Sequence, residues 1–220
     1  MVGKSLLRKL HENGYSNILT ADRKDLDLTN QNDVKDFFYN NNFSHLIIAA
    51  AKVGGINANN EFKADFLFEN LMIESNLIHQ SYKKGIESLL FLGSSCIYPK
   101  LSVQPIIEDY LLSGELEKTN EGYSLAKISG IKLCENYNKQ YGTDFRCLMP
   151  TNLYGPNDNF NLKHSHVIPS LINKFHFAKN NKLPAVEIWG TGKPLREFLH
   201  VDDLADACIF FMEKEKNELD

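Results

Sequence analysis

Hydrophobic and polar positions alternate in two registers along this chain. Short apolar runs at 16–21 (Ser-Asn-Ile-Leu-Thr-Ala), 45–51 (His-Leu-Ile-Ile-Ala-Ala-Ala), 89–92 (Leu-Leu-Phe-Leu) and 144–150 read as buried strands. A further short run at 186–189 predicts another. Between them lie segments with helical spacing. Leu6, Leu7 and Leu10 make a stripe over 1–14 that Gly14 stops. Thr29 or Asn30 caps a helix carrying Val34, Phe37 and Phe38. The segment 62–84 carries Phe66, Leu67, Met72, Ile73, Leu77 and Ile78, too many apolar residues for a thin surface stripe. Helices are also predicted around 123–141, 166–179 and 201–213.

Strands separated by helices predict an α/β protein. Right-handed crossovers make its sheet mostly parallel and doubly wound, the Rossmann type. Asn, Asp, Lys and Ser gather at 157–165 and mark a boundary. The expected division is a domain over 1–160, then part of a smaller domain over 161–220 whose last helix returns to the core.

Composition narrows the classes of function. The chain has 220 residues, 43% hydrophobic and 24% charged, enough for a sizeable core. A net charge of -4 and no long basic run argue against nucleic acid as a partner. No apolar run approaches the ~20 residues of a membrane span, and no apolar stretch of a signal peptide follows Lys4, Arg8 and Lys9. Cys96, Cys134, Cys147 and Cys208 are scattered without zinc spacing, so no metal site is expected and a reducing cytoplasm is the natural compartment.

The candidate chemistry lies in 93–127. Ser94 follows the strand at 89–92, at the sheet edge where open α/β proteins bind ligands. Tyr123 and Lys127, four apart on a helix, share a face. A phenol with its ordinary pKa near 10 is a poor base at neutrality, and an ammonium one turn away is expected to lower that value. Ser94, Tyr123 and Lys127 together could then move a proton at an alcohol or carbonyl oxygen while hydride moves at its carbon. A surface Tyr and Lys on any helix is the plainer alternative. Of nine tyrosines, though, only Tyr123 has a lysine four residues on.

Four segments now stand together: Gly93-Ser94-Ser95-Cys96-Ile97-Tyr98-Pro99, Tyr123-Ser124-Leu125-Ala126-Lys127, Pro150-Thr151-Asn152-Leu153-Tyr154-Gly155-Pro156, and Arg196-Glu197-Phe198-Leu199-His200-Val201-Asp202-Asp203. With these the chain resembles the extended short-chain dehydrogenases/reductases that act on nucleotide sugars. Ala49 to Ile56 and the Ser-Ser-Cys variant narrow the likeness to the GDP-L-fucose synthase family, the GDP-4-keto-6-deoxy-D-mannose 3,5-epimerase/4-reductases. The resemblance implies two reactions in one site: epimerisation at C3 and C5 beside a 4-keto group, then NADPH-dependent reduction of that ketone. By position it assigns Ser94, Tyr123 and Lys127 to the reductase triad, Cys96 to the epimerisation base and His166 to its acid partner. Cys96 could instead be an inert core residue, and His166 an idle surface one.

The resemblance also implies that 1–160 binds NADP(H). It places Gly3, Arg23, Leu26, Leu92, Ser94, Ser95, Lys127, Pro150, Asn152, Leu153 and His166 at the cofactor, and Lys174, Trp189 and Arg196 at the GDP-sugar. A homodimer built from the two long helices is expected with it. Three departures qualify these expectations. The strand and glycine-rich loop that open a dinucleotide site are missing before Met1-Val2-Gly3, and the family continues past Asp220, so the chain is expected to be a fragment. Asp22, beside Arg23, sets an NAD-type carboxylate against the NADP assignment. A related nucleotide-sugar epimerase or dehydratase, or an inactive nucleotide-binding fragment, remain the other readings at this level.

Overall fold

The computed structural model describes residues 1–161, 165–188 and 190–218. Its organising strand is Ser88–Leu92, all five residues of which are buried. Adjacent side chains on a strand point to opposite faces, and both faces of this one are covered. Leu89 and Phe91 enter one core with Ile73, Leu77, Ile78, Ile128 and Ile131; Leu90 and Leu92 enter another with Leu6, Leu204, Ala205 and Cys208. An unbroken apolar run is what such a doubly covered strand requires.

The elements that supply these cores are, in chain order, α1 (Val2–Glu12), α2 (Gln31–Asn40), β1 (His45–Ile48), the short α3 (Ile56–Glu61), α4 (Lys63–Lys84), β2 (Ser88–Leu92), α5 (Glu121–Tyr141), β3 (Phe145–Leu148), β4 (Asn152–Tyr154), α6 (Val167–Asn180), β5 (Phe198–His200) and α7 (Val201–Glu213). The main sheet runs β1-β2-β3, parallel throughout, with His45 opposite Ser88 and Leu89 opposite Phe145. Helices α4 and α5 lie side by side on one face, against α2; α1 and α7 pair on the other. A parallel sheet with helices on both faces is the doubly wound arrangement expected.

Local chemistry sets the helix limits. Asn30 caps α2 by accepting from the N–H groups of Asn32 and Asp33, so the cap is Asn30 and not Thr29. Gly85 and Gly142 end α4 and α5 with φ of 72° and 71°, left-handed geometry that glycine adopts without a Cβ penalty.

Two predicted strands do not form. Residues 16–21 carry no strand pairing, and β1 pairs only with β2 among the described residues. A strand exists by its ladder, and among the described residues no strand pairs with 16–21. Residues 186–188 likewise lie outside regular structure, and Trp189 lies outside the described residues. In exchange, two three-residue strands appear that the apolar pattern does not announce: β4 and β5 form a separate parallel pair, Asn152 opposite Phe198 and Tyr154 opposite His200. This pair carries the Pro150–Pro156 segment past the end of β3 and leads directly into α7.

Candidate active site

The end of β2 builds the centre of the site. After Leu92 the chain makes a single 3-10 turn over Ser95–Ile97, and Ser94 caps it with φ -165° and ψ 146°. The Ser94 hydroxyl accepts from the Cys96 N–H at 3.4 Å. The Ser95 N–H donates to Pro150 O at 3.0 Å, which ties this turn to the end of β3. Gly93 fits beneath because a Cβ there would lie 3.2 Å from Ile131 and 3.3 Å from Leu148 O.

Helix α5 brings Tyr123, Ser124 and Lys127 to that turn. The Tyr123 phenol lies beside the Ser94 hydroxyl, which acts to lower its pKa. Ser124 is fully buried; its hydroxyl donates to Cys96 O at 2.9 Å and lies 3.5 Å from Cys96 Sγ. Lys127 is 2% exposed and donates to Leu92 O at 2.9 Å. Ser94, Cys96, Tyr123 and Lys127 therefore form one cluster at the end of β2 and the start of α5.

The electrostatics differ from the simple expectation. Lys127 spends its charge on Glu74, a residue of α4: Nζ lies 3.0 Å from Glu74 Oε1, with both side chains at most 3% exposed. Nζ also sits over the Phe91 ring at 4.5 Å from its centroid, and 5.9 Å from that of Tyr123. Burial pushes the Tyr123 phenol up, and the Cys96 and Glu74 charges add to this; only the Ser94 hydrogen bond opposes it. The lowered phenol expected from Lys127 is thus overturned, because burial of the phenol, with the Cys96 and Glu74 charges beside it, outweighs what favours the phenolate. Burial likewise raises the Cys96 thiol, against hydrogen bonds from Ser124 and Ser94 and the Lys127 charge. Burial also raises the Glu74 carboxyl, and Lys127 works in the other direction. Sequence periodicity hides Glu74: it reads as one more charge on an amphipathic helix, and only its position facing α5 distinguishes it. Ser124 is hidden as an unremarked member of the Tyr-to-Lys segment.

The remaining predicted residues spread around this centre. His166 is exposed at the N-cap position of α6, where its side chain makes no capping hydrogen bond, and no hydrogen bond or ion pair joins it to the cluster among the described residues. Gly3 lies in the first turn of α1, with open space where its Cβ would be, and no side chain caps that helix start. Arg23 is 84% exposed in its side chain and reaches Glu69 at 3.3 Å. Leu26 is 8% exposed and donates its N–H to Asp22 O at 3.0 Å. Leu92 is buried, and Leu153 packs against the same apolar face. Asn152 donates to Glu197 O at 3.0 Å, fastening β4 to the start of β5. On α6, Lys174 donates to Glu187 O at 3.2 Å. Arg196 is exposed and reaches Leu195 O at 2.7 Å.

The ends of β1, β2 and β3 thus carry the loop 49–55, the Ser94–Cys96 turn and Pro150 side by side, and Leu6 of α1, a helix whose start no side chain caps, shares a core with Leu90 and Leu92 of β2. Open strand ends and free helix N–H groups are the features by which this fold holds a dinucleotide, and the residues present fit one.

The NAD dependent epimerase/dehydratase family matches residues 1–219. GDP-L-fucose synthase 1 of Arabidopsis thaliana is 55% identical over 214 residues, 97% of this chain and 66% of that protein. The GDP-L-fucose synthase of Escherichia coli K12 is 54% identical over 213 residues, with 97% of this chain and 66% of that protein covered. The chain therefore spans about two thirds of the length of these curated relatives. Among solved structures, a GDP-L-fucose synthetase from Naegleria fowleri bound to NADP superimposes with a TM-score of 0.87 at 30% identity, covering 96% of this chain and 69% of that one. With the parallel sheet, the Ser94–Tyr123–Lys127 cluster and these matches agreeing, the chain belongs to the NAD dependent epimerase/dehydratase family.

Proposed function

We propose that the protein converts GDP-4-keto-6-deoxy-D-mannose to GDP-L-fucose, by 3,5-epimerisation followed by NADPH-dependent reduction of the 4-keto group. The observation that carries this reading is the Cys96 thiol set in the same cluster as Ser94, Tyr123 and Lys127. A reductase needs the Ser/Tyr/Lys group alone; a thiol among them adds a second proton-transfer group beside the same carbonyl. The two relatives, named for the same synthesis, and the NADP-bound neighbour support it.

The roles follow from the chemistry. Ser94 and Tyr123 donate hydrogen bonds to the 4-keto oxygen. That polarisation acidifies the C–H bonds at C3 and C5. Cys96 removes a proton there as thiolate, and His166 returns one from the opposite face of the ring; each exchange leaves the proton count unchanged and inverts one carbon. NADPH, when bound, supplies the hydride to C4. Tyr123 gives its proton to the alkoxide that forms at O4, and the raised phenol keeps that proton available near neutrality.

For NADP(H) the holding residues are Gly3, Arg23, Leu26, Leu92, Ser94, Ser95, Lys127, Pro150, Asn152, Leu153 and His166. Arg23 is the candidate for the 2′-phosphate, and Asp22 beside it competes. Lys174, Trp189 and Arg196 are the candidates for the GDP-sugar; the two cations suit its diphosphate. The division into a cofactor domain over 1–160 and a partial substrate domain over 161–220 belongs to the same reading. So do a homodimer through α4 and α5 and a cytoplasmic location, which the four unpaired thiols suit.

The test is NADPH oxidation with GDP-4-keto-6-deoxy-D-mannose, with the sugar products identified. The expected result is GDP-L-fucose from the native protein, and from Cys96→Ser a reduced sugar that keeps its original configuration at C3 and C5. Inverted product from Cys96→Ser would remove Cys96 from the epimerisation. Reduction without inversion by the native protein would make it a plain nucleotide-sugar reductase.

A further inference from the structure

The Lys127–Glu74 pair has a geometry that a merely structural ion pair does not need. An ammonium has three donors and no acceptor. Here one donates to Leu92 O at 2.9 Å, and the amine lies 3.0 Å from Glu74 Oε1 as an ion pair. The amine sits on the Phe91 ring and one helical turn from Tyr123. Neither Glu74 oxygen has a hydrogen-bond partner among the described residues. The space the carboxylate occupies exists because position 130 is glycine: a Cβ there would lie 2.9 Å from Oε2. The two helices are thus cut to admit a buried carboxylate whose ion-pair partner is the lysine. A solitary buried ammonium is driven toward its neutral form, and breaking a buried pair leaves an uncompensated charge.

We propose that Glu74 is a positioning residue, the counter-charge that holds Lys127 as a fixed ammonium beneath Tyr123 and so sets the pH range over which Tyr123 serves as proton donor. The role in catalysis rests on the function proposed above; the pairing itself does not. The groups facing the pair are Tyr123 and Cys134 from α5, which feel the Glu74 charge, and Cys96 from the turn after β2, which feels Lys127. Glu74 acts on Tyr123 in the upward direction. Its removal therefore favours phenolate while Lys127 stays charged, which moves the alkaline limit of proton donation down.

Two measurements on the full chain test this. The first is thermal unfolding between pH 7 and 10 for the native protein, Glu74→Gln, and Glu74→Gln combined with Lys127→Met. The expected result is a Tm deficit in Glu74→Gln that shrinks as pH rises, because the stranded amine sheds its charge, and recovery of most of the deficit in the double variant. A deficit independent of pH, or a double variant no more stable than Glu74→Gln, overturns the pairing. The second is the pH profile of ketone reduction. The alkaline limb is expected to move down by roughly one pH unit or more in Glu74→Gln and to return toward native in Glu74→Asp. A uniform loss of rate with an unmoved limb overturns the positioning role. The unfolding result stands even if the substrate assignment fails.

Discussion

At the scale of single residues, Gly130 shows how tightly the site is built from behind. A Cβ at this position would meet Phe91 Cζ at 2.6 Å and Cε1 at 2.8 Å, besides Glu74 Oε2. Gly130 lies inside α5, where alanine would otherwise gain up to about 1 kcal/mol from helix propensity. The clash is with a fully buried ring of β2 and a buried carboxylate, and overpacking of this kind costs about 1–3 kcal/mol. The contact wins over the propensity. Gly130→Ala is expected to lower the midpoint of denaturant unfolding, and a gain in stability would refute the close packing. The sequence made the Ser94, Tyr123 and Lys127 cluster legible because each member follows from a local rule: a serine at a strand end, a tyrosine and lysine four apart. Glu74 and Gly130 were not legible, since their meaning comes from α4 and α5 facing each other across a distance in sequence. The direction of the Tyr123 shift was not legible for the same reason: burial of the phenol dominates it, and that burial, like the Glu74 charge that adds to it from 53 positions before Lys127, comes from packing between elements distant in sequence.

At the scale of elements, helix existence and type followed from periodicity, and all six predicted helices formed within a few residues of their expected limits. Strands were harder. Residues 16–21 have an apolar pattern suited to a strand and no ladder to join; β4 and β5 have a ladder and too few residues to announce themselves. The contact that orders the second face is the α1–α7 clamp. The Ser5 hydroxyl donates to Asp202 Oδ1 at 2.5 Å, Arg8 pairs with the same carboxylate, and Lys9 reaches Asp206 at 3.0 Å. Ser5 first, and then the Arg8 charge, hold the Asp202 carboxyl below its ordinary value. A depressed carboxyl contributes stability above its unfolded pKa of about 3.9, and that contribution is lost as pH falls through the folded value. Asp202→Asn is therefore expected to lower Tm at pH 7 and to make little difference near pH 3. Equal Tm deficits at both pH values would remove the clamp's charge from the account.

At the scale of the whole molecule, one face remains to be explained. The inner sides of α4 and α5 are spent on the core through Phe66, Ile73, Leu77, Ile128 and Ile131, yet Phe68 stays 62% exposed and Leu125 42% exposed on the same two helices. Scattered apolar residues on a surface need no explanation; apolar residues on two adjacent long helices suit a partner. A second copy of the chain laying its own α4 and α5 here would form a four-helix contact, self-complementary about a two-fold axis. Each change at such a contact acts twice, once per protomer, so two charges introduced on one chain become four in the dimer. Phe68→Glu with Leu125→Glu is expected to convert a dimer to a monomer in sedimentation velocity, with the far-ultraviolet circular dichroism unchanged because neither residue belongs to the buried core. A native protein that sediments as a monomer at micromolar concentration, or a double variant that stays dimeric, would place the exposed apolar residues of α4 and α5 outside any contact between copies.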